Sequence, residues 1–164
     1  MTTEQQLVDA SLRAWKINAD RITRFFDGLS EEQLQAEIAP GRNRLIYLWG
    51  HLTAVADGML PLLGIGERLH PELEAPFLTS PDRSATALPS ASELKQAADE
   101  VDRALSTAFN QWSAADWAAK HTAVSDEDFA REPHRNRFSV LMSRNAHMAF
   151  HHGQLVLTKP RSDG

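Results

Sequence analysis

The chain has no cysteine. That absence excludes disulfides, thiolate zinc sites and a cysteine nucleophile, so any thiol chemistry must draw its thiol from outside. Basic clusters longer than a few residues are also missing, and the net charge is −5 with histidine neutral, a balance that argues against gripping a nucleic-acid backbone. No apolar run approaches the roughly 20 residues needed to span a bilayer. The opening residues Met1-Thr2-Thr3-Glu4-Gln5-Gln6 are polar and acidic, with no apolar stretch to serve as a secretion signal. Together these absences predict a cytoplasmic protein without nucleic-acid or membrane partners. What is present, 164 residues with 42% hydrophobic and 24% charged, fits one domain over 1–164 with its own core.

The hydrophobic pattern is helical throughout, which predicts an all-α fold. Residues 4–28 carry apolar positions Val8, Leu12, Trp15, Ala19, Ile22, Phe26 and Leu29 in steps of four and three, the seam of a bundle helix. Gly28 suits its C-terminal end, and Ser30-Glu31-Glu32-Gln33 is a capping box for a short piece reaching about Glu37. Beyond Pro40-Gly41, Asn43 is the expected cap of a second long helix over 44–63, with the same rhythm in Leu45, Leu48, Leu52, Val55, Met59 and Leu62. Residues 64–90, with Pro71, Pro76, Pro81 and Pro89, read as a long crossover loop with a helical turn at Pro71 to Glu74. A capping box at Ser90 opens a third helix to about Trp112, with a short piece at 113–120 beyond it. A polar loop over 122–138 leads to a fourth helix from about Ser139 to Thr158, stopped by Pro160.

The fourth helix breaks the pattern. Its four-three line from Val140 runs through Arg144, His147, His151, Gln154 and Thr158, polar residues where core residues are due. Leu141, Met148 and Leu155 form a second register that can dock the helix while the polar stripe faces a bundle interior or cleft. Four residues advance about 400° on a helix, so His147 and His151 lie on one face as a chelating pair. Several buried imidazoles need partners, and a metal ion satisfies them together. His51 on the second helix is the expected third ligand. It sits on the line Tyr47, His51, Ala54, Gly58, whose small residues leave room for a ligand beside it. Bundles build metal sites from such facing positions.

The blander readings differ from residue to residue. A lone His51 would be a hydrogen-bonded boundary histidine, and His-x-x-x-His pairs also occur on plain surface helices; the polar break in the seam is what favours metal. His152 is turned about 100° from His151 and is not counted as a ligand, while His70, His121 and His134 are expected at the solvent-exposed surface. Met148 stands where the His-Glu-x-x-His zinc proteases carry their general-base glutamate, which disfavours proteolysis by that mechanism.

Four long helices, the segment Leu48-Trp49-Gly50-His51-Leu52, and the segment His147 to Leu155 with its His-x-x-x-His-x-Gly-Gln pattern closely resemble the DinB/YfiT-like superfamily of proposed metal-dependent enzymes. The resemblance spans the whole length. It implies an up-up-down-down four-helix bundle and a divalent metal, typically nickel or zinc, held by three histidines that map onto His51, His147 and His151. One departure is His152, where members often have arginine, which touches the substrate contact rather than the metal. Gly153 is expected to allow close helix approach, and Gln154 to orient a ligand or substrate; the bland alternative makes both packing residues.

The resemblance also carries expectations of function. Relatives include thiol-dependent S-transferases, a mycothiol-dependent isomerase and some hydrolases. A three-histidine site with open positions can lower the pKa of a bound thiol or water. The expected activity is therefore a metal-dependent S-transferase using an external low-molecular-weight thiol on a small-molecule substrate, or a hydrolase. Gln154 and Tyr47 are the candidate catalytic groups. The rival classes are a non-catalytic metal or small-molecule binding protein of stress response and, against the acidic charge, a DNA-associated damage-response protein. A homodimer is expected as well, from the superfamily's habit and from Leu60, Leu63 and Ile65 as apolar surface beyond the seam.

Overall fold

The computed structural model describes residues 2–85 and 87–158. Seven α-helices and no strands appear among them: α1 (Thr3–Phe26), α2 (Leu45–Asp57), α3 (Met59–Leu63), α4 (Ala91–Phe109), α5 (Ala114–Ala118), α6 (Asp126–Arg131) and α7 (Arg137–Val156). The body is built by α1, α2 with α3, α4 and α7; α1 packs chiefly on α7, and α2 chiefly on α4. The expected stop at Pro160 lies outside the described residues.

The apolar seams become the core. Trp15, Ile22 and Phe26 of α1, Leu48 and Leu52 of α2, and Leu94, Val101 and Leu105 of α4 are buried. Phe26 stacks on Trp49 with ring centroids 4.8 Å apart. On α7 the second register does the docking: Leu141 and Leu155 are fully buried, and Met148 touches both halves of the core. The capping box at Ser90 closes on Glu93, and Ser30 exchanges hydrogen bonds with Gln33, although the piece it opens is only a 3-10 turn at Gln33–Gln35.

Several expectations need correcting. The second helix divides at Gly58, because Pro61 has no N–H to return to the preceding turn and its ring crowds that carbonyl. Asn43 does not cap it. The backbone carbonyl of Asn43 is drawn into a bond from Ile38, and Arg44 takes the cap position, with its amide donating to the Asp82 carboxylate at 2.8 Å. Arg44 also grips Asp82 through its guanidinium, at 2.7 Å for the shortest contact. The crossover loop is not structureless: besides the expected turn at Pro71–Leu73 it holds a wide π-type turn, Ala75–Thr79, which buries Phe77. The polar loop at 122–138 holds α6, started by Ser125, and α7 begins at Arg137 because the Asn136 side chain caps it.

The room left by Ala54 and Gly58 is filled by an arginine. Arg68 donates to the Ala54 carbonyl at 3.0 Å, and a Cβ on Gly58 would lie 2.9 Å from its guanidinium. Arg68 also lies 3.8 Å from Asp57, a fully buried carboxylate that accepts the amides of Leu69 and His70 at 2.8 and 3.2 Å. The small residues thus anchor the crossover loop rather than a ligand. His70 is likewise drawn in, with one ring nitrogen 3.1 Å from Glu72 and the other 3.0 Å from Glu100.

Leu60 and Leu63, expected as spare apolar surface, are core residues. Gly153, expected at a close helix approach, is exposed, and a Cβ there would meet nothing within 4 Å. Gly153→Ala should therefore stabilise the protein by about 0.5–1 kcal/mol through helix propensity. Urea melts of the two proteins check this; a destabilised alanine variant would contradict the open surroundings.

Candidate metal centre

Two helices and one loop build the centre. His147 and His151 project from one face of α7, as their spacing requires, and His51 meets them from α2. The Nε2 atom of His147 lies 3.2 Å from that of His51 and 3.1 Å from that of His151. Three tetrahedral ligand nitrogens at about 2.0–2.1 Å from one zinc would sit about 3.3 Å apart, so these two spacings, both centred on His147, fit a common ion to within a few tenths of an ångström. One ligand nitrogen from each histidine lies within 4.8 Å of the others.

The hydrogen bonds behind the rings decide what those nitrogens offer. The Nδ1 of His51 lies 2.9 Å from the Phe77 carbonyl, which can only accept, so Nδ1 carries the proton and Nε2 presents a lone pair. His151 is held the same way, its Nδ1 donating to the Gln154 side-chain oxygen at 2.7 Å. His147 has no partner at its buried Nδ1. An Nε2–H on His147 could satisfy only one of the two lone pairs facing it. A cation satisfies all three nitrogens, and the bonds to the backbone carbonyl and to Gln154 are the supports that metal-bound imidazoles commonly have.

Electrostatics points the same way. Burial, with help from His151, His51 and Arg144, pushes the His147 imidazole down to about 4, and burial also lowers His151 against the opposing bond to Gln154. Both rings are therefore neutral, as ligands must be, at neutral pH. A folded-state pKa below the free value near 6.5 means that the unfolded chain takes up protons first. The contribution of these two histidines to the stability of the metal-free protein should thus be fully present above about pH 6.5 and be lost as the pH falls towards 4. His147 contributes about 1–2 kcal/mol of this after allowance for its partial exposure. Urea melts at pH 7.5 and 4.5 test this against His147→Gln; an equal loss in the variant would remove His147 as the cause.

A cleft of about 570 Å³ opens beside the cluster, walled by Ile38, Arg42, Asn43, Leu48, His151 and Gln154 among others. A narrower cavity of about 80 Å³ within the bundle, lined by Trp15, Ile22, Trp49, Leu52 and Met148 among others, includes none of the three imidazoles and is not the candidate site.

Gln154 stands against His151. Tyr47 stacks on His51 with centroids 6.3 Å apart, but its hydroxyl donates to the Ser80 carbonyl at 2.8 Å and so ties down the crossover loop. His152 is half-buried and lies outside the convergence, and His134 is exposed. His121, expected at the exposed surface, is half-buried, with a buried Nδ1 that has no partner. Helical spacing does not reveal Phe77, whose ring packs against Gly50 while its carbonyl aims His51. Gly50 beside His51 was the available signal.

A helical bundle whose interior gathers three imidazoles from two helices defines a class of metal-binding bundle proteins. The family model of the DinB superfamily matches residues 14–155, and the chain belongs to that superfamily. A search of curated proteins finds no match.

Proposed function

We propose that His51, His147 and His151 ligate one divalent metal, zinc or nickel, and that the protein is a metal-dependent enzyme. It would act on a small molecule with an external low-molecular-weight thiol, or else water, as the nucleophile. The observation that carries this reading is the convergence of three Nε2 atoms, two of them fixed as lone-pair donors by protons held at Nδ1. A metal bound there would supply a Lewis acid that lowers the pKa of a thiol or water. The chain's own part is to hold the imidazoles neutral and aimed, with Phe77 and Gln154 as the fixed acceptors. The cleft beside His151 favours an enzyme over a structural metal site, since four closed protein ligands mark the latter and only three histidines converge here.

Among the described residues no helix is long and apolar enough to cross a membrane. Residence in the cytoplasm, the absence of nucleic-acid partners and a homodimer complete the proposal. With Leu60 and Leu63 in the core, the dimer would have to use exposed apolar residues such as Leu7, Met142 and Phe150; a monomeric mass by light scattering at micromolar concentration would rule it out.

The decisive experiment is elemental analysis of protein purified without a histidine tag. It is followed by a screen of low-molecular-weight thiols and water against small electrophiles, with and without added nickel, zinc or manganese. About one metal per chain and metal-dependent turnover are expected. A bound metal without turnover under any condition would leave the non-catalytic binding reading, and turnover indifferent to metal would sink the proposal.

A further inference from the structure

A second pocket, of about 210 Å³, lies at the start of α7 and is lined in part by His121, His134, Arg135, Ser139, Ser143 and Arg144. No carboxylate contributes to its wall. The Nε of Arg144 and the Nδ1 of His121 are both buried without a hydrogen-bond partner among the described residues. Burying such polar atoms unpaired is costly, and the Nε of a charged guanidinium is the more costly of the two. Arg135 spends one nitrogen on Glu132 at 3.1 Å, which leaves its other donors available. The Ser139 hydroxyl is already committed to the His134 carbonyl. Two arginines and two histidines line the pocket, and Arg135, second to burial, holds the neighbouring His121 imidazole below its ordinary pKa. A cation would be repelled here, whereas a planar guanidinium is suited to carboxylate and phosphate oxygens.

The position on α7 gives the pocket a use. Ser143 and Arg144 precede His147 by four and three residues, so they stand on the same stripe, about one helical turn from the imidazole cluster. We propose that this pocket binds a small anionic group, a carboxylate or a phosphate, and that it seats the anionic end of the small molecule handled at the three histidines. The second half rests on the metal reading above; the anion pocket itself does not.

The test separates the two. Sodium phosphate and sodium succinate are titrated separately into the EDTA-treated full-length protein at constant ionic strength maintained with sodium chloride, and amide chemical shifts are followed. Saturable shifts at His121 and at residues 139–144 are expected with at least one of the two anions, and the tighter arm identifies the group. Arg144→Gln should weaken that binding about tenfold or more, as loss of a charge-assisted contact does. If circular dichroism shows that variant unfolded, Arg135→Gln on the other wall should weaken binding severalfold. Shifts no larger than those from chloride alone, or affinity unchanged in the folded variants, would overturn the anion pocket. Repeating the succinate titration with stoichiometric zinc tests the link to the metal. Tighter binding beside the added positive charge supports it, and unchanged affinity in protein shown to hold zinc would overturn it. Should the protein bind no metal at all, the metal-free titration still decides the pocket.

Discussion

Replacing His147 by alanine is expected to remove metal binding at any practical concentration and, with it, any metal-dependent activity. His147 is the central nitrogen of the three, 3.2 and 3.1 Å from its neighbours. Structural zinc sites with four ligands bind with about 10–16 kcal/mol at neutral pH, so one ligand in such a set is worth roughly 2.5–4 kcal/mol, or about 10²–10³-fold in affinity. With only three protein ligands to begin with, that loss leaves two imidazoles and a weak site. Gln154→Ala provides the contrast. It deletes the acceptor of the His151 Nδ1 proton but no ligand, so affinity should fall about 10–100-fold while a metal can still be loaded. Cobalt titration followed by its visible spectrum measures both. A His147→Ala protein that binds cobalt as the parent does would remove the metal reading, and equal loss in the two variants would show that Gln154 is more than a support.

The parts of this molecule that could be read in the sequence are those governed by one period on one helix. The seams of α1 and α4 repeat every three or four residues, and burial follows that rhythm from Val8 to Phe26 and from Leu94 to Leu105. The polar stripe on α7 was visible by the same rule, because His147, His151 and Gln154 interrupt a line that should be apolar. What was hidden depends on contacts between distant segments. Nothing near Arg44 signals that Asp82, 38 residues away, will sit at the start of α2. Ala54 and Gly58 looked like space for a ligand, yet Arg68 comes back from the crossover loop to fill it. Gly153 failed for the opposite reason: a glycine beside a ligand suggests a close neighbour, and here it faces open solvent. Spacing reports which residues share a face and is silent on what is packed against that face.

Gly50→Ala, a change of one methyl group at a residue that holds no ligand atom, is expected to damage both stability and the metal centre. A Cβ at this buried position of α2 would lie 2.3 Å from two carbons of the Phe77 ring, closer than real atoms approach. The ring cannot simply swing clear, because it is fully buried in the core and its segment is held by the Tyr47 hydroxyl at Ser80 and by Arg68 and Asp57 further back. Overpacking of this kind typically costs about 1–3 kcal/mol. The larger consequence is for His51. If Phe77 moves outward, its carbonyl moves too, and the His51 Nδ1 proton loses the acceptor, 2.9 Å away, that fixes the direction of Nε2. Loss of such a support lowers metal affinity by about 10–100-fold. A substitution that acted only through global stability would leave the affinity of the folded fraction unchanged, so the two effects are separable. Cobalt affinity measured well below the melting temperature, together with urea melts of the metal-free protein, distinguishes them. A Gly50→Ala protein with parental affinity would show that the Phe77 carbonyl does not aim His51.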